Sequence, residues 1–354
     1  MPSQQKALVI EQKFAPQVVK NIDIPKPAAG EVLIRIEATA LNPVDWKIHE
    51  LGLLVEVYPA TLGFDASGVV VELGEGVTEY AVGDKVIVEG WFDSEKRIFG
   101  TFQQYLAAPL TTVGKMPSNL TFEEAAAVPS GIATAGLPLY NQSEDADSAR
   151  LTPFWEEGGL GKYAGKPIFV AGGSASVGQY AIQFARLSGF SPIITSASLH
   201  NADLLKSLGA THVVDRNLAP EALVQKVREL AGGHIDLVFD AVAIPDSTLA
   251  ASYQITAPGG QLVVVVPFPI PGEDKSSGRR VIAAHGLFQA PSNFVAGKAL
   301  LSKIPELFES GQFKPNRIEV LPGGLAGITA GLNRLRDGKI SAVKLVVKPQ
   351  DTED

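Results

Sequence analysis

A glycine-rich run extends from Gly173 to Gly178, between an apolar segment and a segment with helical spacing. It fits a G-x-A-x-x-G pattern in which the first glycine permits a tight turn and the last lets a helix pack closely on the preceding strand. The N-terminus of such a helix offers free N–H groups and a partial positive charge to a pyrophosphate. The pattern predicts a dinucleotide-binding turn made by Gly173, Ser174, Ala175, Ser176, Val177 and Gly178. The alternative is a tight strand-to-helix turn without a ligand.

The end of the next apolar segment lacks the acidic side chain that accepts a hydrogen bond from the ribose 2′-hydroxyl of NAD. Ser196, Ser198, His200 and Asn201 lie there instead, and their polar groups can bind a phosphate. Arg216, after the following strand, can add positive charge. These residues favour NADPH, and the alternative is a neutral loop with no cofactor preference.

Groups that would do other chemistry are missing. Cysteine is absent, which excludes a disulfide framework, a thiolate zinc site and a cysteine nucleophile. The histidines are not paired at ligand spacing, and a catalytic zinc needs three protein ligands; they are His49, His200, His212, His234 and His285. We therefore predict no metal, and the chemistry must come from the nicotinamide.

The glycine run lies within alternating strands and helices. Helical spacing predicts helices at 177–187, 202–208 and 220–231. Short apolar runs predict strands at 167–171, 192–195, 212–215, 235–239 and 261–266. This alternation predicts a parallel, doubly wound sheet.

Residues 1–120 differ, since short strand candidates separated by glycine turns predict an all-β region there. In the tail we predict a helix at 304–310 and strands at 317–321 and 343–347, which rejoin the β-rich half. The polar, glycine-rich residues 141–166 predict a surface insertion.

The length of 354 residues corresponds to two domains at roughly 150 residues each. We predict a discontinuous domain of residues 1–125 and 300–354, a nucleotide-binding domain of residues 126–299, and an active site in the cleft between them. The formal charge of −8 argues against a nucleic-acid partner. No signal peptide or membrane span is evident, so we predict a cytoplasmic protein, monomeric or homodimeric, without a membrane partner.

Segments over nearly the whole chain resemble the medium-chain dehydrogenase/reductase superfamily. Residues 62–69 and 82–86 resemble its GroES-like half. Residues 41–47, 126–136, 198–201 and 344–347 resemble the zinc-free quinone oxidoreductases and enoyl reductases, nearest to the fungal trans-acting enoyl reductases of polyketide synthesis and their toxin-cluster relatives. Phe64 replaces the histidine of the Gly-His-Glu motif of zinc alcohol dehydrogenases. The resemblance implies an α/β fold in which a GroES-like β-rich domain joins a Rossmann domain with a doubly wound parallel sheet.

The resemblance also implies site residues. Further cofactor contacts are Val44, Asp45, Trp46, Lys47, Leu199, Val265, Val266, Ser341 and Ala342, and Arg216 stands where the enoyl reductases have a tyrosine that contacts the adenosine phosphate. Substrate-side positions are Pro129, Ser130, Gly131, Ile132, Ala133, Thr134, His285, Gly286, Leu287, Phe288 and Gln289.

Three side chains are candidates for catalysis. Lys47 can bind a ribose, an oxyanion or a substrate phosphate, or it is a surface lysine. Tyr58 is a possible proton donor or a packing residue, and the Thr134 hydroxyl is a possible donor to the carboxamide or the substrate, or a packing group. Solvent is a further possible proton donor.

Three functions fit these features. The first is an NADPH-dependent reductase that adds hydride to the double bond of an α,β-unsaturated carbonyl or enoyl thioester, either free or on an acyl carrier protein. The second is an NADPH:quinone reductase. The third is a cofactor-binding protein with little turnover, since a fold does not fix a function.

Overall fold

The N-terminal part of the chain consists mainly of short strands. The computed structural model describes residues 3–353. The first elements are β1 (Gln4–Ile10), β2 (Gln17–Asp23), β3 (Glu31–Ala40), α1 (Pro43–Leu51), β4 (Ala60–Thr61), β5 (Asp65–Leu73), β6 (Lys85–Glu89), β7 (Trp91–Phe92), β8 (Ile98–Phe99), β9 (Tyr105–Pro109), β10 (Val113–Lys115), α2 (Phe122–Ala125) and α3 (Pro129–Tyr140).

Strands and helices alternate in the second part of the chain. They are β11 (Ile168–Ala171), α4 (Ser176–Leu187), β12 (Ile193–Ala197), α5 (Ala202–Leu208), β13 (His212–Asp215), α6 (Pro220–Ala231), β14 (Ile235–Asp240), α7 (Ala250–Ile255), β15 (Thr256–Val264) and β16 (Arg280–Ala283). The tail adds α8 (Phe294–Glu309), β17 (Arg317–Val320), α9 (Ile328–Arg336) and β18 (Val343–Val347).

The second part contains a six-stranded parallel sheet in the order β13-β12-β11-β14-β15-β16. This is the Rossmann order, which reverses direction between the first and fourth strands. The predicted fold class is confirmed. A dinucleotide binds outside the carboxyl ends of such strands at the reversal point, so the turn after β11 is the place to look for a site.

Two further sheets form the β-rich part. One has the order β2-β1-β4-β8-β7, and the other has the order β10-β6-β5-β3-β18-β17, with β9 paired to β3. Val32, Ile34 and Ile36 of β3 are buried, because alternate side chains of a strand face the same side of its sheet. β18 pairs with β3, so the tail strands extend a sheet that the N-terminal part begins.

Helix α1 corrects the prediction that residues 1–120 are all β. Pro43 occupies the first turn, where its missing N–H costs little. The Asp45 carboxyl group accepts a hydrogen bond from the Asn42 N–H at 2.7 Å, and Gly52 ends the helix at a φ of 62°. These start and stop signals are local, and the surrounding strand pattern obscured them.

The tail helix was predicted to begin at residue 304, but α8 begins at Phe294. Phe294 and Val295 are exposed, so the first turn lacks an apolar face that a periodicity would reveal. Pro305 resembles a helix start, yet it lies inside the helix. The predicted division at residues 299/300 falls within α8, and the division into domains stays a prediction.

Residues 141–166 connect α3 to β11 without a helix or strand. Phe154 and Trp155 pack their rings 5.7 and 5.4 Å from the ring of Tyr140, at the end of α3. Asp147 reaches the edge strand β16, where its carboxylate accepts the N–H of Ala283 at 2.9 Å. The segment is therefore held against the end of α3 and against β16. Among residues 3–353, no helix has the length and apolar character needed to cross a membrane.

Candidate functional site

The turn between β11 and α4 is shaped by three glycines. Gly172 has a φ of +74°, so the tight turn lies at Gly172, whereas the pattern predicted it at Gly173. A Cβ on Gly173 would lie 2.1 Å from Oγ1 of Thr195, and a Cβ on Gly178 would lie 2.3 Å from the carbonyl oxygen of Gly172. Because these glycines have no side chain, the start of α4, the turn and β12 can lie in close contact.

Helix α4 begins with Ser176, and no side chain caps its N-terminus. The first N–H groups of a helix have no partner within the helix, and they suit an anion. The Ser176 hydroxyl contacts Oδ1 of Asn316 at 2.5 Å, while the buried Nδ2 of Asn316 has no hydrogen-bond partner. The glycine turn and the uncapped helix end therefore fit a dinucleotide pyrophosphate.

The residues predicted to bind a 2′-phosphate lie at the ends of β12 and β13. Ser196 is buried, and its Oγ accepts the Gly172 N–H at 3.2 Å, so it supports the glycine turn. The backbone N–H of Arg216 donates to Ala197 at 3.0 Å, which places this exposed residue beside the end of β12. Its guanidinium has no ion pair or hydrogen bond within the described chain.

The tail contacts this region at Ser341. Nε2 of His200 and Nδ2 of Asn201 lie 3.1 and 3.0 Å from Oγ of Ser341. Ala342 follows with a φ of 53°. Two segments that lie 140 residues apart, and that were both predicted to bind the cofactor, are thus in contact.

Helix α3 and residues 285–289 form a second group. A Cβ on Gly286 would lie 2.3 Å from Oγ1 of Thr134, so this segment packs directly on α3. The amide of Gln289 exchanges two hydrogen bonds with the backbone of Phe92, at 3.1 and 3.2 Å. Predicted substrate-side residues from two distant segments therefore share one surface, which also contacts the β-rich part.

Other predicted positions lie at the parallel sheet and in the β-rich part. Val265 and Val266 follow β15, at the carboxyl edge of the parallel sheet. Trp46, Tyr58 and Leu287 are partly buried against one core cluster of the β-rich part.

The three catalytic candidates differ in their surroundings. Lys47 is half-buried, and burial lowers the pKa of its ammonium group. Its Nζ lies 5.8 Å from the centre of the Trp46 ring and forms no ion pair within residues 3–353. Thr134 is partly exposed, and its hydroxyl has no hydrogen-bond partner there. Burial, and then Glu56, raise the pKa of Tyr58. The catalytic roles stay predictions.

Asp65 connects the segments that carry these residues. Its Oδ1 accepts the Ser130 N–H of α3 at 2.6 Å. Its Oδ2 accepts from Nδ2 of Asn42, just before α1, at 2.8 Å, and from Nζ of Lys344, in β18, at 2.9 Å. The side chains of Asp65 and Lys344 are 0% and 5% exposed. One buried carboxylate thus fixes the relative positions of three segments predicted to form the site.

Two other acids are buried close by. Burial raises the pKa of Asp45 to about 8, and the charge of Asp65 adds to the shift. Burial also raises the pKa of Glu89 well above its usual value. Oε2 of Glu89 accepts the Phe288 N–H at 2.8 Å, and its Oε1 has no partner. Burial therefore favours the protonated form of both acids, and Asp65 is the acid that forms the ion pair with Lys344.

We expect Asp45 to make stability depend on pH. Its pKa rises from the ordinary value of 3.8 to about 8 in the fold, so between these values the folded state binds a proton that the unfolded state has released. The stabilisation is complete below the lower pKa and is lost as the pH rises towards the upper one, by up to about 1.4 kcal/mol per pH unit. Urea unfolding of Asp45→Asn at several pH values should give a flatter profile than the parent protein. Parallel profiles would contradict the assignment.

Comparisons with known proteins agree with this geometry. Residues 28–118 match the family model of the alcohol dehydrogenase GroES-like domain, and residues 176–286 match that of the zinc-binding dehydrogenases. A trans-enoyl reductase of Aspergillus japonicus is 34% identical over 329 residues, which are 91% of this chain and 91% of the relative. The chain belongs to the enoyl reductase branch of the medium-chain dehydrogenase/reductase superfamily.

Other relatives of this medium-chain reductase include the enoyl reductase component of the lovastatin nonaketide synthase of Aspergillus terreus. It is 31% identical, over 98% of this chain and 97% of its own length. A putative zinc-dependent alcohol dehydrogenase from Rhizobium etli shares the fold with a TM-score of 0.80 and 24% identity, over 98% of this chain and 99% of that one. A crotonyl-CoA carboxylase/reductase in complex with NADP has a TM-score of 0.76 and 17% identity, over 98% and 95%.

Family membership makes the protein an oxidoreductase that uses a nicotinamide cofactor. In the part of this medium-chain reductase that the structure describes, no group of three or more His, Asp or Glu side chains is arranged to hold a metal ion. That the site binds no metal stays a prediction. Elemental analysis of the chelator-washed enzyme tests it.

The sequence reasoning missed four residues of the site in this reductase. Asp65 and Lys344 lay in the segments that carried the family resemblance, but their pairing across 279 residues was not visible. Asn316 gave no local signal. Glu89 gave one, because it is an acidic residue that directly follows the apolar run 86–88 of β6.

Proposed function

We propose that the protein is an NADPH-dependent reductase that adds hydride to the β-carbon of an α,β-unsaturated enoyl thioester. The observation that carries the proposal is the contact between the two predicted sites. A Cβ on Gly131, in the first turn of α3, would lie 3.1 Å from Oγ of Ser176, the first residue of the dinucleotide helix. A substrate on α3 would therefore lie beside the bound cofactor. The names of the enoyl reductase relatives support the reaction type.

The cofactor, when bound, supplies the hydride, and the chain must stabilise the charge that develops on the thioester oxygen. Lys47 provides a positive charge that no carboxylate in residues 3–353 neutralises. Thr134 provides a hydroxyl donor on the face of α3 against which Gly286 packs. Solvent delivers the proton to the α-carbon.

Reduction assays test this function. NADPH consumption should be rapid with a short 2-enoyl thioester and slow with a benzoquinone. Lys47→Met and Thr134→Val should lower kcat more than they weaken NADPH binding, whereas the exposed Lys226→Ala should change neither. Faster reduction of the quinone would favour the quinone reductase instead. Tight NADPH binding without reduction of either acceptor would favour a binding protein.

We further propose NADPH as the preferred cofactor, by at least about tenfold over NADH, which corresponds to about 1.4 kcal/mol. One hydrogen bond from a charged group contributes roughly 1.5–3 kcal/mol, so a single contact from Arg216 suffices. Its free guanidinium at the end of β12 supports this role. Arg216→Ala should weaken NADPH and leave NADH nearly unchanged in fluorescence titrations. Equal losses for the two cofactors would refute the assignment.

The thioester is proposed to be presented on an acyl carrier protein. The relative from Aspergillus terreus is named as a component of a polyketide synthase, which supports such a partner for this chain. A carrier-bound substrate should have a lower KM than the same acyl group on a free pantetheine thioester.

A further inference from the structure

The substrate-side segment, residues 285–289, has an irregular backbone. Such a backbone keeps one position only when other groups occupy its hydrogen-bonding atoms. Asn293, directly before α8, does this on one side, because its Nδ2 donates to the carbonyl oxygens of His285 and Leu287 at 2.7 and 2.9 Å. The segment is therefore fixed to the start of α8.

The β-rich part holds the same segment from two strands that follow one another in the chain. Oε2 of Glu89, the last residue of β6, accepts the Phe288 N–H at 2.8 Å across 199 positions of the chain. Gln289 bonds to the backbone of Phe92, in β7. Gln289 is partly exposed, whereas Glu89 and Phe288 are 0% and 1% exposed. Water can therefore replace the contact of Gln289 but not that of Glu89.

The position of the substrate-side segment determines the space around Thr134. A Cβ on Gly286 would lie 2.3 Å from Oγ1 of Thr134 and 2.7 Å from its Cα, so the segment and α3 are in direct contact there. Gly286 is close in the chain to Phe288, where Glu89 holds the backbone. A shift at Phe288 would therefore move the backbone that lies against the Thr134 hydroxyl.

We propose that Glu89 is a positioning residue for the reduction. Its carboxyl group fixes the substrate-side segment against the β-rich part, and the segment in turn holds the thioester beside the Thr134 hydroxyl. Glu89 is fully buried, so it acts through Phe288 and Gly286 and not by contact with the substrate. The inference rests on the proposed reduction of an enoyl thioester.

Two substitutions of Glu89 separate its hydrogen bond from its volume. Burial favours the protonated carboxyl group of Glu89, which combines an acceptor oxygen with a donor, as the amide of glutamine does. Glu89→Gln should therefore keep the bond to the Phe288 N–H. Leucine has a similar size but no acceptor, so Glu89→Leu would leave that buried N–H without a partner, and the segment would shift.

Steady-state kinetics with a short 2-enoyl thioester test the proposal. Removing an oxyanion donor outright lowers kcat roughly 100- to 1,000-fold, and a displaced donor loses less. Glu89→Leu should therefore lower kcat by about tenfold, with a smaller change in KM and an unchanged dissociation constant for NADPH. Glu89→Gln should restore the kcat of the parent protein. Glu89→Asp, one carbon shorter, should lie between the two, and it replaces Glu89→Leu in each comparison if that variant does not fold.

A second comparison tests the route through Thr134. In a Thr134→Val background, Glu89→Leu should have little further effect on kcat, because the hydroxyl that it displaces is already absent. Independent effects of the two substitutions would contradict this route.

Val88→Ala is the matched control. Val88 is buried in the same strand, its side chain faces away from that of Glu89, and it packs among side chains of β3, β5 and β9. The control should unfold at a lower temperature and keep its kcat. Equal losses of kcat in Val88→Ala and Glu89→Leu would show a purely structural contribution, and a Glu89→Gln variant as slow as Glu89→Leu would also overturn the proposal.

The parent protein separates this inference from the proposed function. If the parent does not reduce the thioester, the proposed function itself fails. If the parent reduces it and Glu89→Leu has the same kcat, only the role of Glu89 fails.

Discussion

Replacing Asp65 by asparagine is expected to lower the free energy of unfolding by about 3–5 kcal/mol, because Lys344 then keeps a buried charge without its partner. The size of the loss follows from desolvation, since water cannot reach the ammonium group and replace the carboxylate. The Ser130 N–H also loses a charged acceptor. Urea unfolding near pH 6, below the pKa of Asp45, measures the loss before that neighbouring acid can ionise and compensate.

A double-mutant cycle separates the ion pair from the other contacts. Lys344→Met alone should also destabilise, because it leaves Asp65 buried and charged. The combined Asp65→Asn and Lys344→Met variant should be more stable than the sum of the two losses predicts, since neither charge remains. Additive losses would mean that the two side chains do not act as a pair. The exposed pair of Arg280 and Asp147 provides a comparison, and its disruption should cost at most about 1 kcal/mol.

Gly178→Ala should abolish most cofactor binding. The added Cβ would lie 2.3 Å from the Gly172 oxygen and 2.9 Å from the Gly173 Cα, and these are backbone atoms that move only if the turn moves. Overpacking of this kind costs roughly 1–3 kcal/mol of stability. A displaced turn that took two of the uncapped N–H groups of α4 away from a bound phosphate, at roughly 1.5 kcal/mol each, would weaken binding about a hundredfold.

Gly232→Ala is the control for this substitution. Gly232 ends α6 at a φ of 76°, and no atom lies within 4 Å of the position that a Cβ would take. Alanine therefore strains the backbone at this position without a steric clash. The control should lose stability and keep its NADPH affinity. Unchanged cofactor binding by Gly178→Ala would show that the turn tolerates the displacement.

Elements with strong local signals were predictable from the sequence. The bounds of α5, α6 and β13 match their predictions. An apolar periodicity and a flanking glycine or proline mark the two helices, and a short apolar run marks the strand. Helix α1 was missed although its capping signals were present, and the exposed first turn of α8 carries no periodic signal. Sequence patterns thus reveal an element when one face is buried along its whole length.

The site was predictable only where a motif is contiguous. The glycine run specified the dinucleotide turn, although the positive φ lies one residue earlier, at Gly172. The contacts of Asp65 join residues that are 23, 65 and 279 positions away, and no local pattern encodes such distances. The contact between Ser176 and Asn316 likewise forms only once the tail lies on α4.

The hydrogen bond from Ala283 to Asp147 determines what can join the edge of the parallel sheet. An edge strand with free N–H groups is a template onto which another chain can add a strand. At β16 the Ala283 N–H already donates a hydrogen bond to the carboxylate of Asp147, in the segment after α3. Arg280 donates a second hydrogen bond to that carboxylate, at 3.0 Å. A second molecule that continued the sheet at Ala283 would first have to displace Asp147. Asp147→Ala would therefore open this edge to strand addition and promote self-association.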